Sequence, residues 1–115
     1  MTPARFKKLA LALEGVEAVP HMERTAFRTK RKIFATLGSD GRVNLMIESP
    51  ERRDALLESF PESFASLGGW TRLGFVGIDL ATVDEELFGE LLADAYQAAL
   101  PVAKTRAPAA KRRRR

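Results

Sequence analysis

Apolar residues recur at Phe6, Leu9, Ala10 and Leu13, the three-and-four spacing that gathers them on one face of a helix. Thr2 supplies an N-cap and Pro3 a first helical position whose missing N–H costs nothing, while Gly15 offers a left-handed stop. The opposite face carries Arg5, Lys7, Lys8 and Glu14, a solvated side. From about Val16 the period falls to two, and strands are expected over 25–30, 32–37 and 42–48. In the last two, Ile33, Ala35 and Leu37, then Val43, Leu45 and Ile47, alternate with more polar positions. Ser39-Asp40-Gly41 joins them as a hairpin, because Asp-Gly tolerates the positive φ angles of tight turns.

Ser49-Pro50 repeats the helix-start chemistry and predicts a second helix over 51–60, with Leu56, Leu57 and Phe60 inward and Pro61 as its stop. Gly68-Gly69 marks a turn before a further strand over 70–80, in which Gly74 and Gly77 suggest a bulge or a close backbone approach. Thr82 and Glu85 read as the capping box of a last helix whose apolar face is Leu87, Phe88, Leu91, Leu92, Ala95, Tyr96 and Ala99. That helix ends before Pro101. Hairpin-linked strands make an antiparallel sheet, which normally buries one face under helices. The expected fold is an α+β two-layer sandwich over residues 1–100, with the first and last helices on the same face of the antiparallel sheet.

Charge changes this picture once it is divided along the chain. Of the 115 residues, 1–100 hold 12 Lys+Arg against 15 Asp+Glu, whereas 101–115 hold 7 Lys+Arg and no acid. The formal net charge of +4 therefore belongs to the last 15 residues. Lys104, Arg106 and Lys111, Arg112, Arg113, Arg114 and Arg115, interleaved with Ala and Pro, can build no core and read as a disordered polycationic tail. The chain has no cysteine, which removes disulfides, thiolate metal sites and thiol nucleophiles and fits a reducing compartment. No apolar run approaches the roughly 18 residues of a membrane span, and the N-terminus lacks the order of a signal peptide. The expected location is the cytoplasm, without membrane insertion, and the expected state is a monomer.

The run Val19-Pro20-His21, Ala26-Phe27-Arg28, Lys32-Ile33-Phe34-Ala35-Thr36-Leu37, the hairpin, Val43-Asn44-Leu45, the Ser-Pro-Glu helix start and Gly68-Gly69-Trp70 before Gly74 resembles the MmcQ/YjbR family over nearly all of residues 3–100. The resemblance implies a fold related to the frataxin-like proteins, with helices on one side of an antiparallel sheet. It also implies DNA binding, the label family members commonly carry. In the family, Gly usually precedes the Lys of the Lys-Ile-Phe-Ala strand; here that position is Arg31. A left-handed turn there would cost Arg on the order of 1 kcal/mol, so either the turn differs or the extra charge is useful.

Arg28, Lys30, Arg31 and Lys32 place four cations within five residues around a strand turn, where side chains can meet phosphates; the alternative is a solvated turn. Arg42 lies toward the other end of the neighbouring hairpin. The tail suits non-specific binding to a polyanion, nucleic acid first and DNA before RNA, which would place the protein on the nucleoid. Its alternatives are a solubility tail, attraction to anionic lipid or an address signal. His21, the single histidine, is expected to be structural, since a metal site would need Glu17 and Glu23 brought to it. Trp70 could stack a base but is expected over the edge of the core, with Phe27, Phe34 and Phe75 inside. No catalytic motif is present, Asp79 and Asp84 fall on separate elements, and neither a cofactor nor an enzymatic activity is expected. The leading expectation is a non-enzymatic DNA-binding protein without sequence preference. The rival is a protein- or small-ligand-binding module, which an apolar pocket near Trp70 and His21 with no adjoining positive charge would favour.

Overall fold

Thr2 and Pro3 act as their chemistry dictates. In the computed structural model, which describes residues 1–100, the Thr2 hydroxyl accepts the Arg5 N–H and Pro3 begins α1 (Pro3–Leu11). The helix ends at Leu11, earlier than expected, and Gly15 takes its positive φ of 80° in the turn that follows. Six strands come next, β1 (Glu17–His21), β2 (Arg24–Arg28), β3 (Ile33–Leu37), β4 (Arg42–Met46), β5 (Phe64–Ala65) and β6 (Phe75–Asp79). They form one antiparallel sheet in the order β1-β2-β3-β4-β6-β5. Helices α2 (Pro50–Ser59), α3 (Gly69–Arg72) and α4 (Glu85–Ala99) complete the α+β fold. Among the described residues no helix is long and apolar enough to cross a membrane.

Helices α1 and α4 pack on the same face. Phe6 of α1 is fully buried, its ring edge-on to Phe27 of β2 at 5.1 Å and to Phe88 of α4 at 5.7 Å. This triangle joins α1 and β2 to a helix more than sixty residues further along the chain, and edge-to-face geometry adds to the apolar area it removes from water. Phe88, Leu91, Leu92, Ala95 and Ala99 form the buried stripe of α4, as their spacing predicts. Between Phe27↔Ala35 and Arg28↔Ile33 the ladder advances two residues on β3 for one on β2, which makes Phe34 the extra residue of a bulge. Its ring is therefore free to turn inward with Ala35, and it meets Tyr96 of α4 edge-on at 6.1 Å.

Several expectations fail for identifiable reasons. β1 is a sheet-edge strand with Pro20 in it, a position where the missing N–H costs no ladder bond. Phe60 caps α2 half-exposed at 42% rather than pointing inward. The stretch expected as one strand over 70–80 splits: Leu67 donates its N–H to the Thr71 hydroxyl at 2.7 Å, winding Gly69–Arg72 into one helical turn. Gly74, at φ 113°, then redirects the chain into β6. Gly77 is a close approach and not a bulge, since a Cβ there would come within 3.1 Å of Leu67 Cδ2. The last helix is capped by Asp84, whose carboxylate accepts the Leu87 N–H at 2.8 Å, while the Thr82 hydroxyl bonds to Glu62 O and Ser63 Oγ. In the hairpin turn only Gly41 has positive φ; Asp40 instead accepts the Arg42 N–H with its carboxylate.

Phe6→Ala removes the ring that joins α1, β2 and α4 and should cost about 3–5 kcal/mol, the range for a buried Phe truncation. Urea unfolding checks this, and a loss under 1 kcal/mol would mean that α1 is not a core element.

Candidate nucleic-acid interface

The turn between β2 and β3 is built on Thr29, which is 4% exposed. Its hydroxyl accepts the Arg31 and Lys32 N–H groups at 3.2 and 3.3 Å and donates to Ala99 O at 2.7 Å. A Thr side chain is thus both the cap of the turn and its bolt to the last helix. The carbonyls at a helix end have no intrahelical partner, and here the turn supplies them: Thr29 serves Ala99, while the Arg31 guanidinium donates to Leu100 O at 3.2 Å and to Ala98 O. Helix α4 has no basic residue in its last turn, so Arg31 also brings the cation that its negative end attracts. Met22 is the one non-glycine residue of positive φ among those described, so Arg31 occupies an ordinary conformation. The turn needs no glycine and uses the charge.

Of the four clustered cations, Arg28 folds back to donate to Thr29 O and Lys30 O, at 3.0 and 3.3 Å, and Arg31 is engaged on α4. Lys30 is exposed, and Lys32 lines a wide, open groove of about 420 Å³ with Glu48, Arg53, Arg72 and Leu73. Arg53, on α2, is held by the carbonyls of Ile47 and Glu48 at 2.5 and 3.2 Å, and Arg72 ends α3. Three cations against one carboxylate make this groove positive. It lies at the end of the sheet where β3 begins and β4 ends, and Arg42, which starts β4 opposite Asp79, stands at the other end. Lys111, Arg112, Arg113, Arg114 and Arg115 lie outside the described residues, as do Lys104 and Arg106. What the structure does place is Leu100, at the basic turn, so segment 101–115 starts beside these cations.

His21 and Trp70, far apart in sequence, line one cavity on the face of the sheet opposite α1 and α4. Alternation puts Arg24, Thr36, Asn44 and Phe75 on that face, and with His21, Met22 and Trp70 they enclose a half-open cavity of about 160 Å³. Trp70 is 55% exposed, with its ring edge-on to Phe75 at 6.5 Å, so Phe75 lies here and not in the core. Arg24 is fixed across the sheet by bonds to Thr36 Oγ1 at 2.8 Å, Thr36 O at 3.3 Å and Arg42 O at 2.8 Å. His21 stands opposite Arg24 in the β1–β2 ladder, and Glu17 begins the same extended strand, which holds the two side chains apart. Asp79 and Asp84 both cap backbone, accepting Ala81 N–H and Leu87 N–H.

Arg24, Arg53 and Arg72 were not singled out by sequence. Arg24 had a signal, since residues 24–42 hold six Lys/Arg and one acid, whereas 48–94 hold three Arg and eleven acids. Arg53 and Arg72 had none, because only the fold brings α2 and α3 to the Lys32 end of the sheet.

Thr29→Val keeps the shape but leaves the Ala99 carbonyl and two turn amides without their partner. It should cost about 1–3 kcal/mol in urea unfolding and raise amide exchange at residues 29–32 above that of β4. Equal protection in variant and parent would show that the turn does not depend on this hydroxyl.

Comparison with known proteins agrees with this architecture. The structure superposes on the crystal structure of Deinococcus radiodurans protein DR2400, of domain family DUF419, with a TM-score of 0.77 at 24% identity over 92% of this chain and 86% of that one. At that identity the likeness shows the fold alone. Among curated proteins none matches the sequence. The family model that matches is YjbR, over residues 11–98, from the end of α1 to the last turn of α4. The chain belongs to the YjbR family.

Proposed function

We propose that the protein binds nucleic acid, DNA foremost, without sequence preference and without catalysis. The observation that carries this reading is the convergence of Lys32, Arg53 and Arg72, from three separate segments, in one groove, with exposed Lys30 two residues before Lys32 and the end of α4 at Leu100 bonded to Arg31 of the same turn. Phosphodiester oxygens need cations spread along a path, and a cationic groove in a chain that also carries seven Lys/Arg in residues 101–115 suits that. Among the residues lining the groove Glu48 is the one acid. Nothing in the groove is arranged to read base edges, so the contacts there are with backbone charge.

A neutral small ligand is the second reading, because a cavity lies between His21 and Trp70. It is the weaker one, since Arg24 lines that cavity and the groove of Lys32, Arg53 and Arg72 includes Gly74, the neighbour of Phe75 in the cavity wall. Positive charge adjoins the pocket.

Fluorescence anisotropy with labelled duplex DNA across a salt series tests the proposal. Every core residue lies at or before Ala99, so residues 1–100 can be compared with the full chain. Seven segment cations on duplex phosphates give a slope of log affinity on log salt of about −6, and Lys30 with the three groove cations about −4. Residues 1–100 should therefore still bind, with the shallower slope, and Lys30→Gln, Lys32→Gln and Arg72→Gln together should remove about three from it. Complete loss of binding with residues 101–115, or indifference to the three substitutions, would take the function out of the fold.

A further inference from the structure

Five large apolar side chains are exposed among the described residues, and two of them, Met22 at 89% and Trp70 at 55%, border the cavity on the face opposite α1 and α4. Met22 also has φ 60°, in the two-residue turn between His21 and Arg24. A positive φ at the first turn position belongs to glycine-type turns, and strain of this kind marks places where position matters more than stability. Water gains nothing from an exposed Trp and Met, nor does the core.

The cavity's chemistry is specific. One wall is aromatic, formed by Trp70 with Phe75. The floor is polar: Thr36 accepts from Arg24 with its hydroxyl oxygen and keeps its own proton to donate, and Asn44 offers both a donor and an acceptor. Arg24 is cationic and immobilised by three bonds. At about 160 Å³ the space is close to the roughly 150 Å³ that holds one benzene ring. It is open on one side, as a ligand attached to a chain requires. Gly74 lines the cationic groove and Phe75 the cavity, so one step along the backbone separates the two.

From this we infer that the cavity takes one unstacked nucleobase of a single strand, stacked on Trp70 and hydrogen-bonded by Asn44 and Thr36, while the neighbouring phosphates lie over Lys32, Arg53 and Arg72. The inference rests on the nucleic-acid reading and sharpens it, because a paired base cannot enter. Aromatic stacking tolerates any base, and the two polar side chains set a mild preference for a Watson–Crick edge that can both give and accept.

Trp70 is the only tryptophan in the chain, so its emission reports on the cavity directly. The full chain is titrated with a 12-mer oligothymidylate, with an abasic phosphodiester strand of the same length, and with a 12-base-pair duplex, following emission and anisotropy together. All three should bind, and only oligothymidylate should quench Trp70. Trp70→Ala should weaken oligothymidylate about ten- to a hundredfold, the range for losing a stacking platform, and leave the abasic strand and duplex unchanged. Trp70 is exposed, so the substitution spares the core; should the variant nonetheless unfold, the contrast between thymidylate and abasic quenching in the parent decides alone. Equal quenching by the abasic strand, or equal weakening of all three by Trp70→Ala, overturns the base site and leaves the phosphate groove standing. Absence of binding by all three overturns both.

Discussion

The hydroxyl of Thr29 joins the basic turn to the last helix. It satisfies two amides of the β2–β3 turn and, through Ala99 O, fastens that turn to the end of α4. A buried hydroxyl with three partners is costly to disturb, since each group left unpaired in the interior pays its desolvation. The turn is therefore rigid where its neighbours are charged. Arg31 completes the arrangement by covering the remaining carbonyls of α4. Because α4 is itself held by Phe88 against Phe6, and Phe6 against Phe27, the position of the basic turn follows from the packing of the core.

The two faces of the sheet are treated differently, and the proposed binding surface rests on that asymmetry. One face is covered by α1 and α4 and carries the aromatic core. The other is crossed only in part by the segment that winds into α3, because Gly77 lets Leu67 lie flat against the strands. What remains open is a patch with an aromatic wall and a fixed arginine, beside a groove with three cations. A protein that needed only stability would cover this surface with apolar side chains. Instead it spends some stability there, at the positive φ of Met22 and in the exposed ring of Trp70.

Much of the fold was legible because its signals are local. The alternation of Val43 and Leu45 with Arg42 and Asn44, and the spacing of Phe88, Leu91, Leu92, Ala95 and Ala99, each point to one element and one buried side. β1 was not legible, because an edge strand with one strong apolar residue and a proline has no pattern to show. Trp70 and Thr71 have strand-forming side chains, and a single hydroxyl-to-amide bond with Gly74 behind it outweighs that preference. At the site, the charge run from Arg28 to Lys32 was visible as a run, but which of its members are free was not. Arg28 and Arg31 look like Lys30 and Lys32 in sequence, and only the carbonyls beside them separate fasteners from candidate phosphate ligands. The meeting of His21 with Trp70, and of Lys32 with Arg53 and Arg72, is a property of strand order that no spacing encodes.

The central claim is that one end of the sheet and the face opposite α1 and α4 form a continuous surface for a nucleic-acid strand. Its most direct test is a two-dimensional amide and indole NMR titration of the full chain with a short single strand at physiological salt. The account predicts that amides of residues 30–32, 48, 53 and 72–75 and the Trp70 indole shift together, with one common affinity. Shifts restricted to residues 101–115, or centred on the outer surfaces of α1 and α4, would contradict it.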